Sequence, residues 1–271
     1  MGEATKVLFI TQEITPFLPE SEIATICRYL PQAVQDRGNE IRAFMPKFVA
    51  INERRNQLHE VQRLSGMNII IDDTDHPLII KVASLQAARM QVYFIDNEDY
   101  FHHRNIAKDD KEVEYKDNGE RTIFFARGVL ETIKKLRWAP DIIHCHGWMT
   151  ALVPLYVKKA YADDPCFRDA KIVYSIYEDG FSNPFQSRYD QILKIDGVKE
   201  EHLSSIKSKA VDYVALTKLA VDFSDAVIQG SETLQDSLAG YITSKPGRPF
   251  LPYQTPETYT DAYLDLYQSL L

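Results

Sequence analysis

The first apolar run of the chain, "KVLFI" (Lys6 to Ile10), is continuous rather than alternating. That is the pattern of a strand buried on both faces of a sheet. After a polar loop, Ser21 stands as a cap before Ile23, Ile26, Leu30 and Val34, which recur at helical spacing, and Gly38 follows. This predicts a helix from about Glu22 to Asp36. "IRAFMP" (Ile41 to Pro46) is a second apolar run. Strand, helix and strand in that order predict a βαβ unit and therefore a parallel sheet.

The texture changes between His59 and Asn97. "NIIIDD", "PLIIKVASL" and "MQVYFIDN" predict short β segments joined by turns. They form a β-rich insertion (59–97) whose last strand, "QVYFI", is expected to rejoin the main sheet. His102 to Lys116 is polar, charged and free of glycine, which predicts an exposed, mobile loop. Helical periodicity returns in "RTIFFARGVLETIKKL", with Phe124, Val129 and Ile133 facing inward. "DIIHCH" (Asp141 to His146) predicts the next buried strand, "WMTALVPLYVKKA" a helix, and "AKIVYSIY" another strand. A helix-rich segment is expected from Lys199 to Phe223, then a short strand at "DAVIQG" and a helix at "SETLQDSL" capped by Ser231. "GRPFLPYQTP" reads as irregular. Residues 256–271 read as a closing amphipathic helix, with Tyr259, Tyr263, Leu264, Tyr267 and Leu271 on one side. With no linker or repeat in view, residues 1–271 are read as one α/β domain, a doubly wound parallel sheet carrying a β insertion.

Composition narrows the function classes. The chain has 271 residues, 45% of them hydrophobic, and a formal net charge of -8. The basic residues are scattered, so nucleic acid is not expected as a partner. No apolar run approaches the roughly 20 residues of a membrane helix, so no membrane partner is expected. "MGEATK" carries no signal pattern. The three cysteines, Cys27, Cys145 and Cys166, are far apart and form no CxxC pair. Buried thiols in a cytoplasmic protein are the expectation.

In an open parallel sheet, ligands bind beyond the carboxyl ends of the strands. Three such ends carry chemistry: "TPFLPESEIATI" after the first strand, "HCHGW" with His144, His146 and Trp148, and "YSIYEDGF" with Tyr177, Glu178 and Asp179. The first loop has no glycine, two prolines (Pro16, Pro19) and two carboxylates (Glu20, Glu22). A phosphate site is normally built the other way, from glycines and a cation. His144 and His146 alternate, so they share one face of their strand. A metal would need two further ligands that nothing nearby supplies, and no metal is expected. Trp148 beside imidazoles and carboxylates suits a sugar, packing its apolar face while they bind its hydroxyls; a helix-packing tryptophan is the other reading. Glu178 and Asp179 could be a glycosidase pair, although neighbours on an extended turn point apart.

Taken in order, "KVLFITQEITPF", "YLPQAVQDRGNEIRAFMPKF", "VYFIDNEDYF", "DNGERTIFFARGVLE", "PDIIHCHGWMTALVP" and "LAVDFSDAVIQGSETLQDSL" resemble the bacterial and plant glycogen and starch synthases. The resemblance spans about Lys6 to Leu238. It implies the Rossmann-like N-terminal half of a GT-B fold and glucosyl transfer from a nucleotide sugar, ADP-glucose or UDP-glucose, to an α-1,4-glucan (glycogen or a maltooligosaccharide), with no cofactor. The matches are uneven. The family's K-T-G-G-L loop is Pro19, Glu20, Ser21, Glu22 and Ile23 here, so its lysine and both glycines are replaced. Its H-D-W is His146, Gly147 and Trp148: the histidine, which in the family touches the donor glucose, is kept and the aspartate lost. Its T-x-H-N strand end is Ser175, Ile176, Tyr177 and Glu178. Asp117, Asn118 and Arg121 match, the aspartate lying near the acceptor cleft in the family, as do Asp96 and Asn97.

The resemblance also implies a second domain that grips the diphosphate, and this chain ends where that domain would begin. A carboxylate close to a diphosphate opposes it by roughly 1 to 4 kcal/mol. Three functions follow as expectations. The first is a synthase-type transferase, weak or inactive as an isolated chain, with a separate C-terminal-domain chain or a homo-oligomer as possible partner. The second is a non-catalytic α-glucan-binding or regulatory module. The third is a different carbohydrate-active enzyme using Glu178, Asp179 or Glu20.

Overall fold

A computed structural model describes residues 4–207, 210–245 and 247–271. The reading of the N-terminus as lacking a signal pattern rests partly on residues 1–3, outside that range, and the helix-rich reading of 199–223 includes 208 and 209, also outside it. Among the described residues no helix is long and apolar enough to cross a membrane.

The elements run in this order: β1 (Lys6–Thr11), α1 (Glu22–Asp36), β2 (Glu40–Pro46), β3 (His59–Glu60), β4 (Met67–Ile71), β5 (Thr74–Leu85), β6 (Met90–Asp96), α2 (Asn118–Leu136), β7 (Ile142–His146), α3 (Val153–Leu155), β8 (Lys171–Ile176), α4 (Tyr189–Ile192), α5 (Tyr213–Asp222), β9 (Ala226–Gln229), α6 (Asp236–Thr243), β10 (Phe250–Leu251) and α7 (Tyr259–Leu270). The sheet order is β10-β9-β8-β7-β1-β2-β6-β5-β3, with β4 paired to β5. Strands from β10 to β6 are parallel. The insertion adds β5 antiparallel to β6, with β3 and β4 antiparallel to β5. "QVYFI" rejoins the main sheet as expected, as β6 beside β2.

The chain proceeds outward from β1 to β2 and β6, then returns to place β7 on the other side of β1. That reversal makes the carboxyl ends of β1 and β7 the switch point, where doubly wound sheets hold ligands. β1 and β7 are buried along most of their length because helices cover both faces, which is why their sequences do not alternate. α1 begins where its cap predicts: Ser21 Oγ accepts from the Ala24 N–H at 3.0 Å.

Three expectations need correction. "WMTALVPLYVKKA" is not one helix but a 3-10 turn (Trp148–Thr150), the short α3 and a π turn (Tyr156–Ala160); Pro154 has no N–H for a regular ladder. Ser231 does not cap α6, which starts five residues later at Asp236 after Gln235. The Ser231 hydroxyl is bound elsewhere, as described below. "GRPFLPYQTP" contains the two-residue strand β10, parallel to β9.

Most of the motif residues that carry the resemblance are framework. Asp96 is buried and pairs with Lys81 at 2.8 Å, and Lys81 reaches Glu53 at 2.7 Å. Asn97 Oδ1 accepts from the N–H groups of Asp99 and Tyr100, shaping the turn Glu98–His102. Beyond that turn, the segment to Lys116 has a single bridge, Lys108 to Glu114, and an exposed tip. Its root is fastened by Arg121, whose guanidinium is fully buried. It donates to the carbonyls of Tyr100 (2.8 Å), Ile106 (2.6 Å) and Asn105 (2.6 Å) and to Asn118 Oδ1 (2.8 Å). Only the planar fork of arginine reaches four acceptors on three segments. Arg121→Lys is therefore expected to cost about 3 kcal/mol, because it leaves buried carbonyls unpaired; urea unfolding measures it, and a loss under about 0.5 kcal/mol contradicts this account.

Candidate functional site

The register across β1, β7 and β8 places Thr11, His146 and Ser175 side by side at the sheet's carboxyl edge. His144 and His146 point to one face, as their alternation requires, with ring centroids 3.8 Å apart and Phe9 packed beside both. Both imidazoles are fully buried. His144 is hydrogen-bonded at both nitrogens, Nδ1 to the Tyr267 hydroxyl (2.6 Å) and Nε2 to Ser175 Oγ (2.7 Å). His146 Nδ1 is bonded to the Tyr177 hydroxyl at 2.8 Å, while its Nε2 has no partner among the described residues. Burial pushes the His144 pKa well below its ordinary value, helped by the neighbouring His146. Burial alone takes His146 down to about 3. Both rings are neutral at pH 7, and as neutral imidazoles each offers one donor and one acceptor.

The second strand end closes over the first. The Tyr177 ring is buried against Gly230, where a Cβ would come within 2.5 Å of its Cε1. Only glycine permits so close an approach. Glu178 is exposed and its N–H donates to Ser231 Oγ (3.0 Å), while the Ser231 hydroxyl donates to Glu22 Oε2. Ser231 therefore ties the β8 end to the start of α1. Asp179 turns the opposite way: its Oδ2 accepts from the Trp148 N–H (2.9 Å) and its Oδ1 from the Tyr213 hydroxyl (3.3 Å). As expected of neighbours on an extended turn, Glu178 and Asp179 point apart. Burial, which outweighs these hydrogen bonds, raises Asp179 to about 7.

Gly147 adopts φ +86°, ψ 163°, a conformation essentially restricted to glycine. A Cβ there would lie 2.5 Å from Gln12 Oε1 and 3.0 Å from Asp179 Oδ2. Gln12 and Asp179 fill the space into which a side chain at 147 would project. Trp148 is buried against Phe181 and Phe185, with ring centroids 5.1 and 6.1 Å away. It packs helix and loop and presents no face to a sugar here; apolar packing from the β8 loop won over exposure.

The remaining candidates lie apart from this edge or at its rim. Asp117 pairs with Arg104 at 2.7 Å, and Asn118 is buried, donating to the Ala107 carbonyl and accepting from Arg121. In the first loop Pro19 and Glu20 are exposed, and Ser21 Oγ donates to Glu13 Oε2 (2.6 Å) as well as capping α1. The structure brings His146, Tyr177, Glu178 and Glu22 together, and leaves Asp117 and Asn118 in the Arg121 framework. Asp179 was a candidate at the "YSIYEDGF" strand end; Gln12, Glu13 and Ser231 also belong to the site but were not singled out as ligand-edge residues, although Gln12 and Glu13 were visible in "TQEITPF". Beside the edge lies a cleft of about 360 Å³, lined by Glu20, Glu22, Ile26, Gly230, Tyr253 and Tyr259 among others, with no lysine or arginine in its lining.

A family model described as the starch synthase catalytic domain matches residues 6–242. The chain belongs to this family. Glycogen synthase from Chlorobium limicola is 36% identical over 239 residues, covering 87% of this chain and 47% of that protein. Glycogen synthase from Chlorobaculum tepidum is 39% identical over 191 residues, 68% of this chain and 39% of that protein. The chain spans about half the length of the curated relatives it matches. A solved structure of the catalytic domain of starch synthase IV from Arabidopsis thaliana, bound to ADP and acarbose, has a TM-score of 0.73 at 20% identity, covering 93% of this chain and 52% of that one. It shares the fold, the Rossmann-like half expected from the resemblance.

Asp179 yields a pH prediction. Its folded pKa lies above the unfolded value near 3.9, so the folded state holds the proton longer. The stability it contributes is present below about pH 4 and is lost as pH rises through about 7. Asp179→Asn mimics the neutral form. It is expected to exceed the parent in unfolding free energy by about 1 kcal/mol or more at pH 8 and to match it near pH 4; urea unfolding at both pH values checks this.

Proposed function

We propose that these 271 residues act in α-1,4-glucan metabolism as the glucan-facing half of a nucleotide-sugar:glucan glucosyltransferase, and that the isolated chain binds glucan without measurable transfer. The observation that carries this reading is the electrostatics of the first loop. Where the family's loop carries lysine and glycines, this chain places the exposed carboxylates Glu20 and Glu22, and Glu22 is already bonded to Ser231. Preorganised positive charge at the diphosphate is among the largest contributions to group transfer of this kind, and the cleft beside the loop offers none in its lining. The ring of tyrosines, carboxylates and an amide suits hydroxyl groups instead. The related plant domain was solved with ADP and acarbose together; of those two chemistries, this edge favours the saccharide.

A purely non-catalytic glucan-binding module has its own support. His146 is kept, but Tyr177 covers its Nδ1 and both sit fully inside the fold, so the imidazole is not offered to a donor sugar.

Calorimetric titration separates the readings. Heat is expected with maltohexaose, and none with ADP-glucose or UDP-glucose. Heat with a sugar nucleotide, or glucosyl transfer to a glucan primer, would favour an active transferase with a rearranged phosphate site. Glu20→Lys removes one repulsive charge and adds an attractive one. It is expected to tighten ADP binding at least about fivefold over the parent; unchanged ADP binding would count against the electrostatic explanation.

A further inference from the structure

The cleft beside the first loop has two walls of different origin. One wall, Glu20 to Ile26 with Gly230 as floor, lies within the family match. The other, Tyr253, Gln254, Pro256 and Tyr259, lies beyond residue 242, where the match stops. That wall is held in place from below. α7 packs on α1, Tyr263 and Tyr267 are buried, and the Tyr267 hydroxyl bonds His144. The segment Phe250–Leu251 is meanwhile stitched to β9. The cleft is thus a built feature of this chain, made by docking its C-terminal segment onto the family domain.

We propose that this cleft is a saccharide subsite taking one or two neutral glucosyl units of an α-glucan, with Tyr253 and Glu20 as its principal contacts. The proposal rests on the reading of the chain as glucan-binding and says where that glucan sits. Tyr253 and Tyr259 are half-buried, so each ring keeps an accessible part, and an aromatic face packs the apolar face of a pyranose. Neither the Glu20 carboxylate nor the Tyr253 hydroxyl has a hydrogen-bond partner among the described residues, which leaves both for sugar hydroxyls. Gln254 Nε2 donates to the Pro252 carbonyl at 3.0 Å, which leaves its Oε1 as an acceptor. The volume, about 360 Å³, lies at the small end of ligand sites. Charge decides between saccharide and phosphorylated ligands: the lining has Glu20 and Glu22 and no cation, so an anionic ligand is opposed and a neutral polyol is not.

The test is titration of maltotriose into the full 271-residue chain and into Tyr253→Ala and Glu20→Gln. Both side chains lie at the cleft surface, so the melting temperature of each variant serves as a folding control. The expected result is at least a tenfold weaker Kd for Tyr253→Ala and a severalfold weaker Kd for Glu20→Gln, with melting temperatures unchanged. Maltotriose binding that is equally tight in both variants would overturn this subsite while leaving the glucan-binding reading intact. Absence of any heat with maltotriose and maltohexaose in the parent would overturn that reading and the subsite with it. Maltotriose displaced competitively by ADP would also overturn the subsite, because it would place a phosphate in a cleft argued to repel one.

Discussion

Two imidazoles on one short strand must stay neutral in a fully buried interior, and much of the ligand edge is arranged around that demand. A buried imidazolium would carry a desolvation cost of several kcal/mol. Three hydroxyls meet the pair: Ser175 from the neighbouring strand, Tyr177 from the strand's end and Tyr267 from the last helix. Each has a further consequence. Tyr177 turned inward requires glycine at 230. Tyr267 at His144 requires α7 to lie beside α1. With α7 fixed there, the segment before it becomes a wall of the cleft.

The family motifs divide along the same line. Asp96, Asn97, Asn118 and Arg121, which carry part of the resemblance, hold turns and a loop root together in the buried interior, where a lost partner is expensive. The residues at 19–22, 147 and 177–178, where the sequence departs from the motifs of the resemblance, lie at the carboxyl edge of the sheet. Their contacts are mutually consistent. Gly147 makes room for Gln12 and Asp179, and Ser231 binds both Glu22 and the backbone of Glu178.

The sign of the charge then governs chemistry. On the proposed reading, carboxylates at the end of β1 would oppose a diphosphate there, while a hydroxyl-bearing ligand would meet acceptors, donors and aromatic faces. Asp179 adds a carboxyl that burial holds at about 7, so the edge carries a group that changes charge near neutrality, and its protonation is coupled to the loop bearing Trp148 through the hydrogen bond to that residue's N–H.

Local pattern was enough to determine the βαβ start, the Ser21 cap, the return of "QVYFI" to the sheet and the shared face of His144 and His146, because periodicity records burial within a few residues. The carboxylates of the first loop, and its lack of lysine and glycine, were equally legible, since they are statements about residue type. What the sequence could not reveal was pairing across distance. Ser231 reads as a helix cap beside "SETLQ", yet its hydroxyl serves Glu22, 209 residues away. Trp148 reads either as a sugar platform or as a packing residue, and only the fold, which encloses it with Phe181 and Phe185, selects the second. Tyr267 reads as one apolar side of an amphipathic helix, and only the sheet order brings it to His144, 123 residues earlier. Hydrogen-bond partners and clefts between segments depend on which strands become neighbours, and that is set by the packing of the whole domain rather than by any stretch of the chain.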